Sequence, residues 1–221
     1  YVENLTNHDI KPLTTNGSET LINGTFDWVY EEEFDCRDGF SWSPDSKHIA
    51  YWQLDASKVR DFYMINNTDS LYSYIIPVQY PKAGQTLSAC KVGVISADGG
   101  ETVWMKLQGD PRNNYVPRME WAASSEEIIM QYMNRDQNAN QLLYGNALTG
   151  DLTTILTETD TAWLDVVDDL KWLDNGKSFT WISERSGWKQ MYNVARDGKT
   201  IKPITTGNFD IIEIKLIDDM K

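Results

Sequence analysis

Three times along this chain a tryptophan sits in a short aromatic or apolar run that leads into a polar turn and out into apolar alternation. The three units are Phe40-Ser-Trp-Ser-Pro-Asp-Ser-Lys-His-Ile-Ala-Tyr-Trp52, Met119-Glu-Trp-Ala-Ala-Ser-Ser-Glu-Glu-Ile-Ile-Met130 and Leu170-Lys-Trp-Leu-Asp-Asn-Gly-Lys-Ser-Phe-Thr-Trp181. Each reads as strand, turn, strand. Each is followed by a second hairpin, turning at Asp98-Gly-Gly, Thr149-Gly-Asp or Asp197-Gly. Gly between alternating apolar runs supplies the positive φ that tight hairpin turns require. Four strands per unit, repeated, is the pattern of β-propeller blades. Trp42, Trp121 and Trp172 lie 79 and 51 residues apart. The second spacing suits one blade, whereas the first is too long, so residues from about 55 to 89 are expected to form an insertion or an elaborated blade edge. Tyr1-Val-Glu-Asn-Leu5 and Ile10-Lys-Pro-Leu-Thr14 resemble a closing hairpin, and Ile211-Ile-Glu-Ile-Lys-Leu216 reads as the start of a further strand. The fold expected is all-β, a partial propeller of about three complete four-stranded blades with partial blades at both ends. A β-sandwich is the rival architecture, and the regular tryptophan unit disfavours it.

Composition narrows the partners. Aromatic residues make up 12% of the 221 residues, in keeping with pleated, half-buried surfaces. A net charge of −13 opposes binding to nucleic acid or to an anionic membrane surface. No apolar run approaches the roughly 20 residues that span a bilayer. The two cysteines, Cys36 and Cys90, have neither CxxC spacing nor neighbouring histidines, which speaks against zinc. A disulfide between them stays open at this level, with two separate buried thiols the simpler reading.

The densest chemical signal is Asp27-Trp-Val-Tyr-Glu-Glu-Glu-Phe34. Taken alone, such an acidic run is most simply a solvated turn or helix start. Adjacent carboxylates repel, which costs little in water and much where they are desolvated. Holding them beside Trp28, Tyr30 and Phe34 is understandable if a cation arrives to neutralise them.

This segment resembles the double-Glu motif of the dipeptidyl peptidase IV family, within the prolyl oligopeptidase clan of serine peptidases. Arg37-Asp-Gly-Phe-Ser-Trp-Ser-Pro-Asp-Ser-Lys47, Ala50-Tyr-Trp-Gln-Leu-Asp55, Tyr80-Pro-Lys-Ala-Gly84 and Trp172-Leu-Asp-Asn-Gly-Lys-Ser-Phe-Thr-Trp-Ile-Ser-Glu-Arg185 are similar to the same family, particularly its bacterial branch. After Gly84 the chain departs from the family's frequent Asn-Pro pair with Gln85-Thr-Leu-Ser-Ala-Cys90. The resemblance implies that residues 1–221 are an internal part of an N-terminal propeller. It also implies that the α/β-hydrolase domain of the same polypeptide lies outside them, and that a short helical insertion carries the glutamates into the central cavity. Family members release X-Pro or X-Ala dipeptides from peptide N-termini. By position, Glu32 and Glu33 would hold the substrate's free α-ammonium, with Glu31 in support. An ammonium offers three donors, and each carboxylate at about 4 Å attracts it by roughly 4 kcal/mol at an effective dielectric of 20, before desolvation. The implied parent is a homodimer in the periplasm or outside the cell, with any targeting segment upstream of Tyr1.

No residue set for catalysis is expected within the chain itself. It contains no Gly-x-Ser-x-Gly elbow, and its only histidines are His8, near the start, and His48, inside a hairpin. No cofactor is called for. Two other readings are carried forward: a non-catalytic propeller that binds partners, and a propeller glycosidase. The second is weak, because carboxylates adjacent in one short segment are poorly placed to flank a sugar bond.

Overall fold

The computed structural model describes residues 1–218. Strands β1 (Val2–Glu3) and β2 (Ile10–Lys11) pair as a short antiparallel hairpin, as the sequence suggests. The first large sheet contains β3 (Leu21–Asn23), β4 (Phe40–Trp42) and β5 (His48–Asp55), with helix α1 (Trp28–Phe34) between β3 and β4. A separate hairpin, β6 (Asp61–Asn66) with β7 (Tyr74–Gln79), then projects before the chain returns through β8 (Ala89–Ser96) and β9 (Val103–Trp104). The second sheet runs β10 (Asn114–Trp121), β11 (Glu127–Asn134), β12 (Ala139–Asn146), β13 (Leu152–Thr159). The third runs β14 (Trp172–Leu173), β15 (Ser178–Ser183), β16 (Gln190–Ala195), β17 (Ile201–Pro203).

These are three consecutive antiparallel blades, so the molecule is a partial β-propeller. One apolar cluster joins the first two sheets through Trp52, Val92, Val116 and Met130, and a second joins the next two through Ile129, Leu142, Phe179 and Trp181. The repeated tryptophan has a repeated task. Trp121 donates its indole N–H to the Ser41 carbonyl of the preceding blade at 3.1 Å, and Trp172 donates to Glu120 of its preceding blade at 2.9 Å. Trp42, with no blade before it among the described residues, is 42% exposed. At the outer end of the third blade, the Asp-Gly turn presses its Gly198 (φ 71°) so closely on β13 that a Cβ there would lie 1.9 Å from the Ile155 carbonyl oxygen.

The stretch from about residue 55 to 89 is the expected insertion, and β6 and β7 within it form their own two-stranded sheet, with Phe62, Tyr63, Met64, Ile65 and Ile75 exposed. One feature differs from the expectation. Ile211–Leu216 forms no strand. Its alternation finds no neighbouring strand among the described residues, leaving Ile212 at 93% and Leu216 at 84% exposure. Backbone groups without a ladder partner have nothing to hold them extended.

One edge strand of the first blade is split in two. β3 pairs with residues 53–55 of β5 and β4 pairs with residues 49–51 of the same edge. Residue 52, between them, is where the chain leaves and returns: Trp52 accepts from the Gly24 N–H at 2.9 Å and donates to the Gly39 carbonyl at 3.0 Å. The segment that departs here carries α1.

Candidate ammonium-binding site

Helix α1 has seven residues, too few to persist alone in water, so tertiary contacts must fix it. Asp27 caps it in extended geometry: one carboxylate oxygen accepts the Tyr30 N–H at 3.1 Å and the other accepts the Ser88 hydroxyl at 2.6 Å. Such a cap contributes about 1 kcal/mol. At the far end Asp35 turns left-handed (φ 51°), and the Cys36 N–H bonds back to the Tyr30 carbonyl.

Helical spacing puts Tyr30 and Phe34 on one face, and both are buried at the seam of the first two blades. Tyr30 stacks on Phe26 with ring centres 5.6 Å apart, and its hydroxyl accepts the Val116 N–H at 3.0 Å. Burial pushes its phenol well above the ordinary range. Phe34 meets Tyr115 edge-on at 5.0 Å. Each buried ring contributes about 2–3 kcal/mol to holding the helix.

With that face committed, the glutamates separate into two environments. Glu31 is half-buried and lies 3.8 Å from Arg37, which also pairs with Asp35 at 3.4 Å. Glu32 and Glu33 are exposed and, among the described residues, their side chains make neither a hydrogen bond nor an ion pair. Both line an open cleft of about 370 Å³. Opposite them are Arg118 on β10, the connection between β13 and β14 with Trp163, Asp165 and Asp168, and Lys189 beside β16. Arg118 bonds Asp168 at 2.6 Å, tying the second blade to that connection.

The structure thus brings Glu32 and Glu33 together and sets Glu31 apart with Arg37. The sequence reading missed Arg118, Trp163, Asp165, Asp168 and Lys189. A signal existed in Trp163-Leu-Asp-Val-Val-Asp-Asp169, an aromatic among acids, although only the fold could bring it opposite α1.

The other reactive side chains are poorly suited to chemistry here. Cys36 and Cys90 are free and buried, with burial pushing their thiols up to about 11 and about 12. Neither is a thiolate at neutral pH. His8 pairs with Glu3 at the surface, and His48 sits on β5. Among the described residues no three His, Cys, Asp or Glu side chains are grouped as a metal site.

Comparison with known proteins follows the same lines. The family model for the dipeptidyl peptidase IV (DPP IV) N-terminal region matches residues 1–221. Inactive dipeptidyl peptidase 10 of Mus musculus is 26% identical over 222 residues, covering 94% of this chain and 28% of that protein. Dipeptidyl peptidase 4 of Trichophyton rubrum is 25% identical over 227 residues, covering 97% of this chain and 29% of that protein. The crystal structure of Porphyromonas gingivalis dipeptidyl peptidase 4 superposes with a TM-score of 0.83 at 29% identity, covering 91% of this chain and 29% of that one. The chain therefore spans under a third of the length of these relatives.

Proposed function

Because the chain belongs to the dipeptidyl peptidase IV family, within its N-terminal region, we propose that it is the propeller portion of a serine exopeptidase that releases N-terminal X-Pro or X-Ala dipeptides. On this reading Glu32 and Glu33 hold the substrate's α-ammonium. The observation that carries it is a pair of adjacent carboxylates, exposed and without partners among the described residues, on a helix whose opposite face is locked into the core. A rigid anionic pair with unused acceptors suits a cation that brings three donors. Glu31, already beside Arg37, positions the helix and supports the pair.

The work divides accordingly. The α/β-hydrolase domain of the same polypeptide supplies the nucleophile, and the propeller restricts access and measures the distance from the peptide's first residue. Distance from a fixed ammonium makes the cut fall two residues in. The parent acts in the periplasm or at the cell exterior, and it works as a homodimer. The projecting β6–β7 hairpin, with Tyr63 at 64% and Ile65 at 67% exposure, is the apolar surface best suited to the dimer contact. The test is release of dipeptide by the full-length polypeptide from a peptide with a free N-terminus and from its N-acetylated form. Loss of cleavage on acetylation is expected, and equal cleavage of both would refute the anchor.

A second reading is supported by one specific finding. Inactive dipeptidyl peptidase 10 of mouse resembles this chain about as closely as the Trichophyton rubrum peptidase does. A propeller of this kind therefore also fits a non-catalytic parent that binds partners. A well-folded full-length polypeptide that turns over no X-Pro or X-Ala substrate would establish it.

A further inference from the structure

A second cavity of about 370 Å³ shares a wall with the cleft of Glu32 and Glu33, and Trp163, Asp165, Asp168 and Lys189 line both. The second cavity has a marked charge imbalance. Six of its lining residues are acidic, and Lys189 is the one lining cation among the described residues. Two acids are already paired, Glu158 with Arg185 and Asp168 with Arg118. Asp160, Asp165, Asp169 and Glu184 make no ion pair among the described residues.

A different observation points to a ligand. Asn140 lines this cavity, is 3% exposed, and leaves its Oδ1 without any hydrogen-bond partner. The orientation of its carboxamide is set by its neighbours. Gln131 donates its Nε2 to the Val167 carbonyl at 2.6 Å, and its Oε1 accepts the Val167 N–H at 3.1 Å. Only a donor can then approach that Oε1 from Asn140, and Asn140 Nδ2 does so at 2.9 Å. The oxygen left over is an acceptor in want of a donor, and a buried group in that state is costly.

A lone acceptor asks for an N–H, and unpaired carboxylates ask for positive charge. Trp163, 55% exposed on the same wall, offers an aromatic face over which a cation is favoured. A divalent ion does not meet these terms, since the described carboxylates are not grouped as a metal site. A guanidinium meets them all, with five donors in a planar fork.

We propose that this cavity is a specificity pocket for a cationic side chain, arginine above lysine, on the first residue of the peptide. This rests on the reading that Glu32 and Glu33 hold the α-ammonium, because the first residue's side chain leaves the same carbon as that ammonium. Asp165 then draws the side chain past the mouth of the pocket, and Asn140 Oδ1 receives one guanidinium N–H at its floor.

The test is calorimetric affinity of the full-length polypeptide for four dipeptides: Arg-Pro, citrulline-Pro, Ala-Pro and N-acetyl-Arg-Pro. Citrulline has nearly the shape of arginine without its charge. Arg-Pro is expected to bind at least about tenfold more tightly than citrulline-Pro. Asp165→Asn should reduce that ratio to within about threefold. Glu184→Gln, a second surface variant, should lower the same ratio in part. Equal binding of Arg-Pro and citrulline-Pro by the wild type would overturn the pocket and leave the anchor standing. Equal binding of Arg-Pro and its acetylated form would instead overturn the anchor.

Discussion

Gly24 and Gly39 touch: a Cβ built on Gly39 would lie 2.6 Å from the carbonyl carbon of Gly24. The contact closes the neck of the segment that carries α1, and both glycines hydrogen-bond to Trp52 across the first blade. An edge strand of a blade can therefore be interrupted for a helix and resumed with its ladder nearly intact. The helix inherits the rigidity of the sheet at both ends, and this rigidity fixes Glu32 and Glu33 in the cleft.

Any side chain at position 39 must force the neck apart, because its neighbours there are backbone atoms of Gly24 and Thr25. Gly39→Ala is expected to destabilise the protein by about 2 kcal/mol. Urea unfolding checks this as a lowered midpoint with an unchanged slope. A midpoint equal to that of wild type would mean that the neck is loose.

Burial of Cys90 has a consequence at high pH. Its folded thiol is raised to about 12, against about 8.5 for an unfolded one. Between these values the unfolded chain has released a proton that the folded chain retains. The stabilisation is complete below about pH 8.5 and is lost as pH rises toward 12, at up to about 1.4 kcal/mol per unit. Stability measured from pH 8 to 11 should fall more steeply in wild type than in Cys90→Ala. Parallel curves would place the alkaline sensitivity elsewhere.

The β6–β7 hairpin exposes apolar side chains from both of its strands. On the proposed dimer, Ile65→Asp should lower the sedimentation mass of the full-length polypeptide toward that of a monomer, without altering its circular dichroism. Retention of the dimer would remove the hairpin from the interface.

Much of this architecture was legible because its signals are local. Asp98-Gly-Gly, Thr149-Gly-Asp and Asp197-Gly turn as expected, since positive φ is a demand that glycine meets wherever it falls; Gly99, Gly150 and Gly198 have φ of 82°, 73° and 71°. The tryptophan units marked the blades because each blade must seal against the one before it, as Trp121 and Trp172 do. Other features depend on tertiary partners. Leu21–Asn23 is a strand through pairing with residues 53–55, while Ile211–Leu216 has the alternation without a partner. Glu32 and Glu33 could be singled out from their setting among aromatics and from the family resemblance. Their separation from Glu31 depends on the packing of Tyr30 and Phe34. The facing wall at Asp165 and Asp168 depends on Gln131, which holds Val167 from another strand.

The central claim is that Glu32 and Glu33 form the ammonium anchor, and hydrolysis of a fluorogenic Ala-Pro substrate by the full-length polypeptide tests it most directly. Wild type, Glu33→Gln and Glu31→Gln would be assayed side by side. The account predicts that Glu33→Gln lowers kcat/KM by about a hundredfold, because one of two charged acceptors is lost, and that Glu31→Gln loses far less. Turnover by Glu33→Gln equal to that of wild type would contradict the account.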